Sequence, residues 1–226
     1  MGRPFEAISS PRGQGDPSSS SSGGGSSEEE EEGWIDEGEV WQDPTDGVLS
    51  RVFEAAEAGD TTELAELLAD LDVGAIDTRG ADSDTAIHLA ALYGHADCVR
   101  LLLERGARAD VADADGALPL HDAAAGGYGA ICGMLLDAAP GCIDRGDGEG
   151  DTPLHNAARG SHDEVVELLL SRGADACLQN DEFKMPAQLA ERGTRGRELL
   201  DEAARAAAAA AAAAAPQVAP PAAEVA

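Results

Sequence analysis

Apolar residues in the middle of the chain recur at spacings of three and four, as on one face of a helix. Such groups are V-R-L-L-L at residues 99–103, M-L-L at 134–136 and V-V-E-L-L-L at 165–170. Each follows a small or glycine-containing turn, and another short apolar segment precedes that turn. The pattern predicts pairs of short helices, joined by turns and separated by polar connections.

One seven-residue pattern occurs three times in this region. Its copies are T-A-I-H-L-A-A at residues 85–91, L-P-L-H-D-A-A at 118–124 and T-P-L-H-N-A-A at 152–158. The histidines at its fourth position, His88, His121 and His155, are therefore 33 and 34 residues apart. A fixed period of this length is the size of one stacking unit in a repeat protein.

Two of these units close with R-G-A, at residues 105–107 and 172–174, where the glycine can take the left-handed conformation that ends a helix. The residues resemble the ankyrin repeat, because the motif, the period and the trailing L-L-L with G-A-D at 173–175 agree together. The resemblance implies an all-α solenoid of about five helix-turn-helix units, in which degenerate terminal units flank three clear ones.

Composition divides the chain into three regions. Residues 1–46 form a Ser/Gly-rich, acidic arm that we expect to be disordered, because few apolar residues offset its ordering entropy. Residues 206–226 form a low-complexity tail of alanine and proline. Between them we expect the ankyrin domain, with units at about 47–80, 81–113, 114–147, 148–180 and 181–205. We expect the third unit to be the least regular, because it contains Gly133 and an extra residue near Pro140.

Charge and cysteine content narrow the choice of partner and compartment. The chain has 15 Lys and Arg against 44 Asp and Glu, a formal net charge of −29, which argues against binding to nucleic acid. The alanine run at 206–215 is too weakly apolar to suggest a membrane helix. The four cysteines form no C-x-x-C pair, which favours free thiols in the cytosol or nucleus. The possibility that residues 1–27 form a transit peptide stays open. We expect the protein to be a monomer.

The sequence offers no convincing catalytic site. The five histidines fall at recurring repeat positions, which favours a structural role over metal binding. Nucleophile-elbow, zinc-protease, P-loop and dinucleotide-binding motifs are absent from the sequence. We therefore expect a binding protein without catalytic residues, metal or cofactor.

The ankyrin resemblance implies that a protein partner lies along a concave face, made of the turns ahead of each repeated motif and the exposed side of each first helix. Most of these positions are acidic, so a partner with a basic segment is the natural counterpart. Leu92 and Tyr93 offer an apolar anchor. The candidate residues are Asp82, Asp84, Leu92, Tyr93, Asp115, Glu149, Asp151, Arg159, Asp181, Glu182 and Lys184.

Two functional hypotheses follow from this surface. The first is an adaptor or scaffold that holds a partner in the concave groove. The alternative is an acidic chaperone or escort for a basic client, such as a ribosomal protein or histone, which would use the acidic residues 28–32 as well.

The two tryptophans, Trp34 and Trp41, lie just before the repeats. They form either a linear motif that docks into a partner, or a segment that folds back over the first unit near Phe53. The sequence leaves both interpretations open.

Overall fold

A computed structural model describes residues 41–214, which form helices and turns without any strand among them. The α-helices of this region are α1 (Val48–Ala58), α2 (Thr61–Asp70), α3 (Ala86–Leu92), α4 (Ala96–Glu104), α5 (Pro119–Ala125), α6 (Gly129–Ala138), α7 (Pro153–Arg159), α8 (Asp163–Ser171), α9 (Pro186–Leu189) and α10 (Arg195–Ala214). The predicted all-α class and the pairing of short helices are confirmed. The predictions for residues 1–40 and 215–226 lie outside the described residues.

The helices stack in two rows. Each first helix, from α1 to α9, contacts the first helices of neighbouring pairs, and the second helices from α2 to α10 form the other row. The paired alanines of the repeated motif are buried within the first row, where their small side chains let neighbouring helices approach closely. Helices this short do not persist alone, so the stacking stabilises them.

The histidine of each repeated motif links one unit to the next. The Nδ1 atoms of His88, His121 and His155 accept the backbone N–H of the residue three positions earlier, at 3.3, 3.0 and 3.1 Å. Their Nε2 atoms lie 2.9 to 3.3 Å from carbonyl oxygens of the turn ahead of the next first helix, at Ala117, Asp151 and Lys184, and His121 also lies 2.9 Å from that of Arg145. Because a carbonyl only accepts, each ring carries its hydrogen on Nε2. These histidines are structural, as the repeat pattern indicated.

A second pair of histidines reaches back to the preceding unit. His95 Nε2 lies 2.8 Å from the Glu57 carbonyl oxygen, and His162 Nε2 lies 2.8 Å from that of Ala125. Each ring covers a glycine with positive φ, so that a Cβ on Gly59 would fall 2.5 Å from the ring of His95. The glycine therefore permits both the turn and the close approach of the ring.

The units end in two ways. After α4 and α8, Gly106 and Gly173 adopt φ of 94° and 97°, as the R-G-A segments predicted. After α2 and α6 the chain instead makes short 3₁₀ turns, at Val73–Ala75 and Pro140–Cys142. The extra residue of the third unit is accommodated in the second of these turns, and the first was not anticipated from the sequence.

The last helix, α10, continues from Arg195 into the alanine run as far as Ala214. It contacts α8 and α9 through its N-terminal part, where Leu200 is fully buried. The described alanines from residue 206 onward with assigned burial are exposed. The helix thus crosses position 205, where composition placed the end of the repeat domain.

Candidate partner-binding surface

Four turns of the same construction stand ahead of α3, α5, α7 and α9. Each is closed by a backbone hydrogen bond across four residues, and these bonds join Gly80 to Asp84, Asp113 to Ala117, Asp147 to Asp151 and Asn180 to Lys184 at 2.8 to 3.1 Å. The residue before the end of each turn has positive φ, and these residues are Ser83, Gly116, Gly150 and Phe183. The recurring geometry presents equivalent residues of successive units to solvent.

Neighbouring turns are also bonded to each other. The Gly148 N–H donates to the Asp115 carbonyl oxygen at 2.7 Å, and the Asp181 N–H donates to that of Glu149 at 3.0 Å. The side chains of Asp115, Glu149 and Asp181 are exposed. Three of the predicted contact residues therefore follow one another along a line of hydrogen-bonded turns.

An acidic cavity of about 620 Å³ lies between the turns ahead of α5 and α7. Its charged lining residues are Asp113, Asp115, Asp122, Asp147 and Glu149. Asp115 and Glu149 were predicted from the sequence, whereas Asp113, Asp122 and Asp147 were not. Asp122 lies inside the repeated motif, at a position where the other copies have Leu89 and Asn156, so the motif itself does not mark it.

Asp122 has an unusual environment for a carboxyl group. Its side chain is half-buried on α5, and this burial raises its pKa from 3.8 to about 8, with Asp84 and Asp113 adding to the shift. Burial also raises the pKa of Asp84, and Asp113, Asp82 and Asp115 contribute as like charges. Asp122 is therefore protonated and uncharged at neutral pH, and it stands among the carboxyl groups of neighbouring turns.

The predicted apolar anchor is accessible. The side chains of Leu92 and Tyr93, at the end of α3, are 44% and 47% exposed. The nearby Glu57 carboxylate raises the pKa of the Tyr93 hydroxyl, and the Tyr93 ring stacks on His95 with centroids 6.4 Å apart. The tyrosine is thus held at the surface with part of its ring free for contact.

Asp151 was predicted to contact a partner, but its side chain is buried and not available for such a contact. Its side chain is only 1% exposed and forms an ion pair with Arg159. The Asn180 amide donates to its other carboxylate oxygen at 2.6 Å. Asp151 therefore joins the turn ahead of α7 to the turn ahead of α9, and it also pairs with Arg159, whose side chain is half exposed.

Comparison with known families agrees with this architecture. Residues 52–143 match a family described as "Ankyrin repeats (3 copies)", and residues 149–181 match "Ankyrin repeat". Together the two segments cover more than half of the chain. It belongs to the ankyrin-repeat family.

Proteins of different kinds contain segments that are similar to this ankyrin-repeat protein. It is 42% identical over 77 residues to rat cortactin-binding protein 2, covering 34% of this chain and 5% of the relative. It is 34% identical over 92 residues to a Caenorhabditis elegans homolog of transient receptor potential cation channel subfamily A member 1, covering 40% and 8%. It is also 36% identical over 89 residues to zebrafish Notch-regulated ankyrin repeat-containing protein B, covering 38% and 80%. The chain thus spans only a small part of the first two relatives.

The last turn of the ankyrin domain differs in character from the others. Asp181, Glu182 and Lys184 are exposed as predicted, and Lys184 Nζ lies 2.8 Å from a Glu182 carboxylate oxygen. Between them Phe183 is 79% exposed and has a φ of 57°. A bulky residue seldom adopts this conformation, which glycine takes at the equivalent positions 116 and 150.

Phe183→Gly should raise the free energy of unfolding by about 1 kcal/mol, because it removes a left-handed conformation that costs an L-residue about 1 to 2 kcal/mol. Little burial is lost, since the ring lies mostly in solvent. Thermal melts should show a melting temperature about 2 to 4 °C above that of the parent. Phe183→Leu is the matched control, since it keeps a side chain at the same φ. A glycine variant that melts at or below the parent temperature contradicts the assignment of strain.

Other kinds of site find no support in the part of the chain that the structure describes. Within residues 41–214, no group of three or more His, Cys, Asp or Glu is arranged to hold a metal ion. None of the helices in this range combines the length and apolar character needed to cross a bilayer.

Proposed function

We propose that this ankyrin-repeat protein is an adaptor or scaffold, whose concave face holds a partner protein through a basic segment. The observation that carries the proposal is the line of exposed carboxylates on hydrogen-bonded turns, at Asp115, Glu149 and Asp181. Leu92 and Tyr93, which are exposed at the end of α3, supply the apolar anchor of this proposal. Aromatic anchors dominate interface energy, while charges mainly raise association rate and selectivity.

Ankyrin repeats are a generic protein-interaction module, so a binding role without catalytic residues or cofactor suits the family. A monomer that works in the cytosol or nucleus agrees with the free thiols at Cys98, Cys132, Cys142 and Cys177. A net charge of −29 disfavours nucleic acid as the partner.

Charge reversal at the three turns tests the concave face. Asp115→Lys, Glu149→Lys and Asp181→Lys together should weaken binding about tenfold at low salt, because three favourable charge contacts become repulsive. The loss should shrink toward 0.5 M salt, where charges are screened within a few ångströms. The partner is first identified by pull-down from the protein's own cells and then titrated as purified protein.

The control reverses three exposed carboxylates on second helices, Glu66→Lys, Glu104→Lys and Glu164→Lys, and so makes the same change in net charge. If both triple variants lose affinity equally, the partner responds to overall charge and the concave-face proposal fails.

The chaperone or escort hypothesis is the second candidate, supported by the run of glutamates at 28–32 and the surplus of negative charge. It predicts that deletion of residues 28–32 removes most binding, and that Tyr93→Ala changes little. The adaptor hypothesis predicts the reverse, with Tyr93→Ala costing about 1 to 2 kcal/mol of binding free energy at both salt concentrations. Measured with one partner, the two variants separate the hypotheses.

A further inference from the structure

A second cavity, of about 250 Å³, lies between the first and second units. Trp41 and Phe53 form its aromatic walls, and Leu89 contributes aliphatic surface. The two rings are inclined at 51° with centroids 5.9 Å apart, so that they meet like two sides of a corner. Four carboxylates complete the lining, from Glu54, Glu57, Asp82 and Asp84.

Specific contacts hold the tryptophan in this corner. Its indole N–H donates to the Arg79 carbonyl oxygen at 2.9 Å. Asp43 anchors the same segment to α1, where its carboxylate accepts hydrogen bonds from the backbone and hydroxyl groups of Thr45 and Ser50 at 2.6 to 2.9 Å. Trp41 therefore folds back near Phe53, as one of the two interpretations of the sequence held, while Trp34 lies outside the described residues.

The second wall is equally fixed. Phe53 lies two residues before the alanines 55 and 56, as each motif histidine lies two residues before its alanine pair, so it stands at the histidine position of the first unit. Its ring lies close enough to Gly80 that a Cβ there would fall 3.0 Å from it. Both rings remain only half-buried. They are thus arranged around an open space instead of filling it.

The charges around this space are unbalanced. None of the four lining carboxylates forms an ion pair with a described residue, whereas Arg51 on the same helix pairs with Glu63 on α2 at 2.6 Å. Arg79, next to the cavity, directs its guanidinium to the Ala112 carbonyl oxygen at 2.5 Å. Aromatic faces and carboxylates both attract cations, whereas an uncharged occupant would leave the carboxylates uncompensated.

We propose that this cavity binds a basic side chain, arginine or lysine, from the partner's basic segment. The inference rests on the proposed function and specifies which part of the partner the cavity recognises. The cationic group lies against Trp41 and Phe53, and its apolar stem contacts Leu89. The carboxylates at the rim, Glu54 and Asp84 among them, neutralise its charge. The turns of the later units then contact the rest of the segment.

Trp41 itself provides the signal for a direct test. In a Trp34→Phe background, the emission of the full chain comes from Trp41 alone. The probe is a synthetic nonapeptide that alternates glycine and arginine, compared at low salt with the same peptide carrying citrulline, which has arginine's shape but no charge. We expect the arginine peptide to change Trp41 emission saturably and the citrulline peptide to leave it unchanged.

Two variants locate the contact. Phe53→Leu keeps an apolar side chain but removes the ring, and it should weaken the arginine peptide about three- to tenfold. Glu54→Gln with Glu57→Gln should weaken it by at least as much. The matched control, Glu66→Gln with Glu104→Gln, removes the same charge from exposed positions outside the cavity and should stay within about twofold of the parent. The glutamine pairs lie at exposed positions, so they keep the test valid if Phe53→Leu melts early.

The outcomes separate this inference from the proposed function. Equal weakening by both glutamine pairs, or an identical response to the citrulline peptide, overturns the cavity assignment. Such a result leaves the adaptor proposal standing, because that proposal depends on the triple reversal at Asp115, Glu149 and Asp181. Loss of binding only in the cavity variants supports the inference, even where the triple reversal has no effect.

Discussion

Replacing His121 with alanine should lower the free energy of unfolding by about 3 to 4 kcal/mol. The ring is only 1% exposed and fills space between α5 and the next turn. Its Nε2 lies 2.9 Å from the Arg145 carbonyl oxygen and 3.1 Å from that of Asp151, while Nδ1 accepts the Leu118 N–H at 3.0 Å. Truncation leaves a cavity and strands buried polar groups, and each effect costs at least about 1 to 2 kcal/mol.

Chemical denaturation with circular dichroism measures this loss. His162→Ala is the matched control, because its ring is half-buried and makes one hydrogen bond to a carbonyl oxygen. It should cost less than half as much. If the two variants unfold at the same denaturant concentration, the motif histidine is not the principal link between units.

The second large effect is a pH dependence of stability that originates at Asp122. Its pKa is about 8 in the folded chain against 3.8 without the fold, because burial and the neighbouring Asp84 and Asp113 disfavour its charged form. Between these values the folded protein holds a proton that the unfolded chain releases. The stabilising contribution of Asp122 to the free energy of unfolding is therefore fully present below about pH 4, and it is lost as the pH rises toward 8.

Asp122→Asn removes this titration. As the pH rises from 5 to 8, the free energy of unfolding of the variant should increase by about 2 kcal/mol relative to that of the parent. The upper limit is a change of ~1.4 kcal/mol for each pH unit, and we expect less in total because the side chain is only half-buried. Denaturation curves at the two pH values measure the difference. Asp115→Asn, which alters an exposed carboxylate of the same cavity, should show a difference near zero. A parent and variant with parallel pH profiles contradict the assignment to Asp122.

The sequence by itself determined the repeat architecture. The 33- and 34-residue spacing of His88, His121 and His155, with buried alanine pairs beside them, is a local pattern that the three central units share. These three units pack against their neighbours through the same residue types, so the pattern indicates the fold directly. For the same reason the left-handed glycines of R-G-A and the acidic turns at Asp115, Glu149 and Asp181 were located correctly.

The tertiary structure decided which acidic residues are accessible. Glu149 and Asp151 are two residues apart in one acidic turn, yet the first is exposed and the second is buried against Asn180 of the turn ahead of α9. Asp122 likewise shares its cavity with the turn ahead of its own helix and with the turn ahead of α7, and the corner between Trp41 and Phe53 depends on the carbonyl of Arg79. Local periodicity specifies which face of a helix meets its neighbours, whereas burial and charge depend on groups some 30 to 40 residues away that only stacking brings together.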